Sequence, residues 1–111
     1  MIPFKSGLED AIRQLSEEKD MPFVAMMHHG SLTVEYYAPV EVDYQTPHKQ
    51  DEIYVIASGK GILERNGEYQ ECKAGDVLFV PAGMEHHFER FSSDFATWVI
   101  FYGPEGGEKP Q

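Results

Sequence analysis

Three side chains in this chain of 111 residues could hold a metal ion together: His48, Glu52 and His86. His48 and Glu52 stand four apart in "PHKQDEIYVIASGKG", where polar groups run directly into an apolar strand, Ile53 to Ala57. Residues two or four apart share a strand face, so both can point to one side. His86 follows a Pro-x-Gly turn, Pro81-Ala82-Gly83, at the start of another strand-like run. Two imidazoles and one carboxylate suit non-haem Fe(II) and leave coordination positions open for oxygen or substrate. The same set holds Zn²⁺ with a water, and Mn²⁺ or Ni²⁺ fit it too. A carboxylate at the mouth of a buried strand is costly unless something pairs with it, and a cation would compensate Glu52. On residue type alone, a surface histidine, a surface glutamate and a hydrogen-bonded histidine account for the same three positions.

The elements that must bring these groups together are mostly strands. The N-terminus, "SGLEDAIRQLSEEKD", is the exception. Ser6 followed by Glu9 reads as a capping box, and Leu8, Ile12 and Leu15 recur at helical spacing, which predicts one helix from Leu8 to about Lys19. From Phe23 onward short apolar runs alternate with turn residues. Asn66-Gly67 lies between "ILER" and "EYQE" and predicts a two-residue hairpin of type I′, whose central positions both need positive φ. Seven or eight such strands without an intervening helix predict an all-β sandwich or barrel. The tail "GPEGGEKPQ" is polar and rich in Gly and Pro, and is expected to be loose. The expected division is a helical segment 1–22, a barrel 23–103 and a flexible tail 104–111.

Bulk composition narrows the partners. The 19 acidic and 9 basic side chains give a formal charge of -10. That charge repels phosphate backbones and anionic lipid, so neither nucleic acid nor a membrane is expected as a partner. The single cysteine, Cys72, excludes a disulfide within the chain and reads as a structural or exposed thiol. No basic start with an apolar core marks a signal peptide, and no apolar run reaches membrane-spanning length. A cytoplasmic location is the expectation.

The segments "HKQDEIYVIASG" and "GDVLFVPAGMEHHFER" resemble the cupin superfamily. The family's first motif is Gly-x5-His-x-His-x3/4-Glu-x6-Gly, and His48, Glu52 and Gly59 fall on its second histidine, its glutamate and its last glycine. The second motif is Gly-x5-Pro-x-Gly-x2-His-x3-Asn, and Gly75, Pro81, Gly83 and His86 meet it. Three positions depart from the pattern: Val40 for the first glycine, Thr46 for the first histidine and Arg90 for the asparagine. The resemblance implies a single-domain cupin β-barrel of jelly-roll type with a short N-terminal helix. It implies a divalent metal held by His48, Glu52 and His86. With Thr46 a poor ligand, the fourth position is open, filled by water, or taken by Gln45, with Asp43 behind it; Gln45 is expected to be a ligand or to support one. A homodimer is also implied.

Strand parity then suggests the pocket lining. Tyr54 shares a face with Glu52, and Phe88 with His86. Tyr37 and Trp98 are further candidates, as are Glu35 and Ile100. His87 should point away from the metal. His28 and His29 face opposite sides of their strand, and Arg90 reads as an anion contact or a surface ion pair. Three functions compete for a small-molecule substrate or ligand in such a barrel. One is a metal-dependent oxygenase of a small organic acid or aromatic compound. Another is an isomerase, epimerase or lyase with the metal as Lewis acid. The third is a binding module without catalysis.

Overall fold

The computed structural model describes residues 2–109. Helix α1 spans Leu8–Ser16. Eight strands follow: β1 Phe23–His29, β2 Leu32–Tyr37, β3 Asp51–Ser58, β4 Lys60–Arg65, β5 Glu68–Lys73, β6 Val77–Val80, β7 His86–Glu89 and β8 Ala96–Tyr102. They form a five-stranded sheet in the order β1-β2-β8-β3-β6 and a three-stranded sheet in the order β5-β4-β7. Every pairing is antiparallel. The fold is all-β with one short helix, as the turn spacing predicts.

Period-two alternation decides which side chains fill the space between the sheets. On β3 the inward-facing buried set is Glu52, Tyr54 and Ile56. These pair with Phe101, Val99 and Thr97 of β8. The core gathers Tyr54, Ile56, Leu63, Phe88, Phe95 and Val99 from both sheets. Phe88 stands at its centre, 4.8 Å by ring centroids from both Tyr54 and Phe95. The other face of the large sheet is covered at one end by α1, where Ala11 packs with Tyr36 and Ala96.

Two local expectations change at the N-terminus. The capping box does not form: Gly7 is the N-cap, and the Ser6 hydroxyl donates to the Met26 carbonyl on β1 instead. The helix also stops at Ser16 rather than near Lys19. The residues beyond, "EEKD", are polar on every side and offer nothing to bury against the sheet.

Asn66 and Gly67 have φ of 47° and 89°, the type I′ geometry, and join β4 to β5 in register Arg65↔Glu68. Arg90 also lies in the left-handed region, at φ 51°. A β-carbon is disfavoured there, and asparagine tolerates it better than arginine. Arg90→Asn should therefore stabilise the fold by about 0.5 kcal/mol, read as a small rise in Tm with no loss of folding cooperativity.

The tail is held more firmly than its composition suggests. Buried Asp51 accepts hydrogen bonds from Ala82 N at 2.9 Å and Glu108 N at 2.8 Å. Gly106 N donates to the Lys49 carbonyl at 2.7 Å. These partners lie far away in the chain, so the local Gly and Pro content gave no hint of them. Met1, Pro110 and Gln111, which belong to the expected end segments, lie outside the described residues.

Candidate metal centre

Glu52 is the first fully inward side chain of β3, and it is 1% exposed. His86 opens β7, turned inward by the Pro81–Met84 turn, and is also buried. Its Nδ1 lies 2.9 Å from the Met84 carbonyl. A carbonyl only accepts, so Nδ1 carries the hydrogen and Nε2 presents a bare lone pair. That Nε2 stands 2.8 Å from Glu52 Oε1. His48 sits on the loop before β3, its Nδ1 3.1 Å from the same carboxylate oxygen. Its ring rests on Phe101, centroids 4.7 Å apart. One ligand atom from each of His48, Glu52 and His86 falls within 4.8 Å of the other two.

This donor set fits a divalent cation. Among the described residues, Glu52 Oε2 and His86 Nε2 are buried with no hydrogen-bond partner. The contact of Nε2 with Oε1 is close, but with the hydrogen on Nδ1 it brings two lone pairs together. Something positive must stand between them, a proton on His86 or a metal ion. Carboxylate oxygen with two imidazole nitrogens is the set that first-row divalent metals accept.

Charge coupling is strong in the metal-free state. Burial works to raise the Glu52 carboxyl, but hydrogen bonds and charge from His48 and His86 outweigh it and hold it below its ordinary 4.5. Burial works to lower the His86 imidazole, but Glu52 and the Met84 carbonyl carry it above its ordinary 6.5. The depressed carboxyl contributes stability that is present above 4.5 and lost as pH falls through its lowered value. The raised imidazole contributes stability that is full below 6.5 and lost as pH rises through its raised value. Metal-free protein should thus melt highest in the mildly acidic window between those values. Melting curves in chelator across pH check this, with a fall in Tm on both sides expected.

The neighbouring polar groups form a second layer. Asp43, 7% exposed, accepts hydrogen bonds from the Tyr37 hydroxyl, Gln45 N, Gln45 Nε2 and Phe88 N. Gln45 Oε1 in turn accepts from the Tyr54 hydroxyl at 2.8 Å. Gln45 therefore bridges Asp43 and Tyr54 with both ends of its amide, and the geometry gives it the role of a brace. Asp43 is the residue whose weight sequence reasoning missed. An aspartate two before the backbone N–H it accepts is an Asx-turn signal, but its bonds to β2 and β7 leave no local trace.

The lining residues divide. Tyr37, Glu35 and Thr46 border a cavity of about 400 Å³ at the barrel mouth, together with His48. Tyr54 and Phe88 lie deeper, in the core beneath the centre. Trp98 does not face the barrel. It packs on the outer side of the large sheet near α1, edge-on to Tyr36 at 5.5 Å. Ile100 has the same parity and faces outward too, since Val99 and Phe101 take the inner positions. His87 points away from the centre, toward Glu64 and Glu89. His28 is exposed and pairs with Thr33. Cys72 is buried, and burial raises its thiol, which argues against a nucleophile. A larger hollow of about 580 Å³ lies beside β4 and β5, lined by Lys60, Lys73 and Arg90. It contains none of the three centre residues, so the smaller mouth cavity is the functional candidate.

Known proteins agree with this architecture. The chain is 33% identical over 88 residues to the uncharacterized protein SCO3923 of Streptomyces coelicolor, covering 78% of this chain and 84% of that one. The structure of KdgF from Halomonas sp. superposes with a TM-score of 0.63 at 20% identity, covering 71% of this chain and 74% of the other. The DMSP lyase DddQ from Ruegeria pomeroyi gives a TM-score of 0.63 at 22% identity, over 75% of this chain and 47% of that enzyme. At such identities the two structures speak for the fold alone. The model of the cupin domain matches residues 33–102, from β2 through β8, and so takes in all three centre residues. On that match, which spans more than half of its length, this chain belongs to the cupin domain family.

Proposed function

We propose that the protein is a metal-dependent enzyme acting on a small organic substrate at the barrel mouth, with oxygenase chemistry as the first candidate. One observation carries this reading: ligand atoms of His48, Glu52 and His86 converge within 4.8 Å in a largely buried site, with Glu52 Oε2 left without a hydrogen-bond partner. His48, Glu52 and His86 would hold the ion. A metal held by three protein ligands supplies Lewis-acid or oxygen chemistry at its open positions. The chain's own residues do the rest. The Met84 carbonyl orients the His86 ring. Tyr54 and Phe88 close the floor of the centre with apolar surface. His48, one-third exposed, is the ligand nearest the opening.

The test is elemental analysis of protein purified without an affinity tag, followed by oxygen uptake with the element found. Near-stoichiometric iron with uptake in the presence of small organic compounds supports an oxygenase. Bound metal without uptake moves the reading to an isomerase, epimerase or lyase. Protein that stays empty and refuses Fe²⁺, Mn²⁺, Ni²⁺ and Zn²⁺ on titration would overturn it.

A further inference from the structure

The mouth cavity has an unusual charge balance. Eleven residues line it, and none is Lys or Arg. Its one carboxylate is Glu35, on the inner face of β2. Among the described residues, no hydrogen bond or ion pair involves the Glu35 side chain. Glu35 pairs with Val99, and Val99 with Tyr54, so it stands two strands and one step along from Glu52. Strand spacing and rise put the two backbones about 12 Å apart. The cavity walls are largely apolar and aromatic, with Phe23, Tyr37, Tyr44 and Phe101 among them.

Such a carboxylate has lost part of its hydration and has no Lys or Arg beside it in the cavity. Burial accordingly pushes its carboxyl above the ordinary value, with His48 opposing and Glu52 adding to the rise. A bound cation would remove that cost. Rings around it add attraction, because aromatic faces carry negative potential. A carboxylate-bearing ligand would meet the reverse: repulsion from Glu35, no Lys or Arg in the cavity, with His48 its one basic neighbour, and a chain with a net charge of -10. The basic side chains Lys60, Lys73 and Arg90 line the other hollow instead.

We propose that the mouth takes a small cationic ligand, an amine or ammonium compound, with Glu35 as its counter-charge and the aromatic rings as its walls. This ligand class differs from both substrates expected from the sequence, a small organic acid or an aromatic compound. The inference rests on the mouth being the substrate entrance, as proposed above, but not on the metal.

Three probes of similar shape decide it: choline, its uncharged analogue 3,3-dimethyl-1-butanol, and 3,3-dimethylbutanoate. Each is titrated by NMR into wild type and Glu35→Gln, both metal-free and metal-loaded, with Val99 and Val42 methyl resonances as reporters. Choline should bind wild type about tenfold tighter than the alcohol, the acid weakest, and Glu35→Gln should abolish the preference. The preference should survive chelation, and the metal content of Glu35→Gln should equal that of wild type. Equal binding of choline and the alcohol, preference for the acid, no binding of any probe, or an unchanged preference in Glu35→Gln each overturns the proposal. Wild type that binds no metal but keeps the choline preference would instead count against the metal-dependent reading alone.

Discussion

His86→Ala protein should purify without metal and should bind Fe²⁺, Mn²⁺, Ni²⁺ or Zn²⁺ about a thousandfold more weakly than wild type. The magnitude follows from one ligand's share, about 4 kcal/mol, of a site that binds at the energies of multi-ligand metal centres. Glu52→Gln should lose metal to a similar extent, because the amide keeps the shape but not the charge. The two variants separate when metal is absent. His86→Ala leaves a buried carboxylate facing only a partly exposed His48. Removing one partner of a buried pair costs about 3 kcal/mol, so this variant should melt well below metal-free wild type. Glu52→Gln lets His86 stay neutral and leaves no uncompensated charge, so it should melt between His86→Ala and metal-free wild type. Elemental analysis with paired melting curves distinguishes a ligand set from a purely structural hydrogen-bonded trio. If both variants retain metal, the centre lies elsewhere.

Among the glycines, Gly59→Ala should be the most disruptive substitution. Gly59 is the one residue between β3 and β4, where the chain passes from the large sheet to the small one. Its φ is +73°, and an added Cβ would lie 2.7 Å from Phe95 Cα. Backbone cannot swing away as a flexible side chain could. The left-handed conformation and the overlap together cost about 3 kcal/mol, which lowers Tm by about 10–20 °C in a chain of this size. Gly67→Ala is the internal control. Its φ is +89°, but nothing lies within 4 Å of the added carbon. Only the conformational cost, about 1–2 kcal/mol, remains there. Equal losses at the two positions would show that the close approach to Phe95 does not matter.

The contrast between these residues explains what could be read from the sequence. Glu52, His86, Gly59 and Gly83 sit where turn chemistry and strand parity leave a local mark, and the resemblance to the cupin motifs brought them forward together. Asn66-Gly67 announced its hairpin by the same kind of local mark. Trp98 left no such mark. "FATWVIFY" is apolar on both faces, because one face meets the barrel interior and the other meets α1, so the alternation that separates inside from outside vanishes. Asp51 and Asp43 were opaque for a different reason. Their partners lie 31 and 57 residues away for Asp51, and 45 for the Asp43 bond to Phe88. Only the closed barrel brings those groups together.

Asp43 also bears on the speed of ligand capture. The segment from Ala38 to Gln50 carries His48 and contains no helix or named strand. Left to itself it would sample many conformations, and each binding event would have to order it first. The bonds from Asp43 to Tyr37 on β2 and Phe88 on β7 tether it to both sheets. Its freedom is therefore given up once, when the chain folds, and not again at each encounter. If the centre takes a metal as proposed, its uptake should then follow the exchange of water from the ion, with first-order dependence on metal concentration and no slow isomerisation phase. Preorganisation of this kind gives a short, irregular segment the constancy usually supplied by a strand.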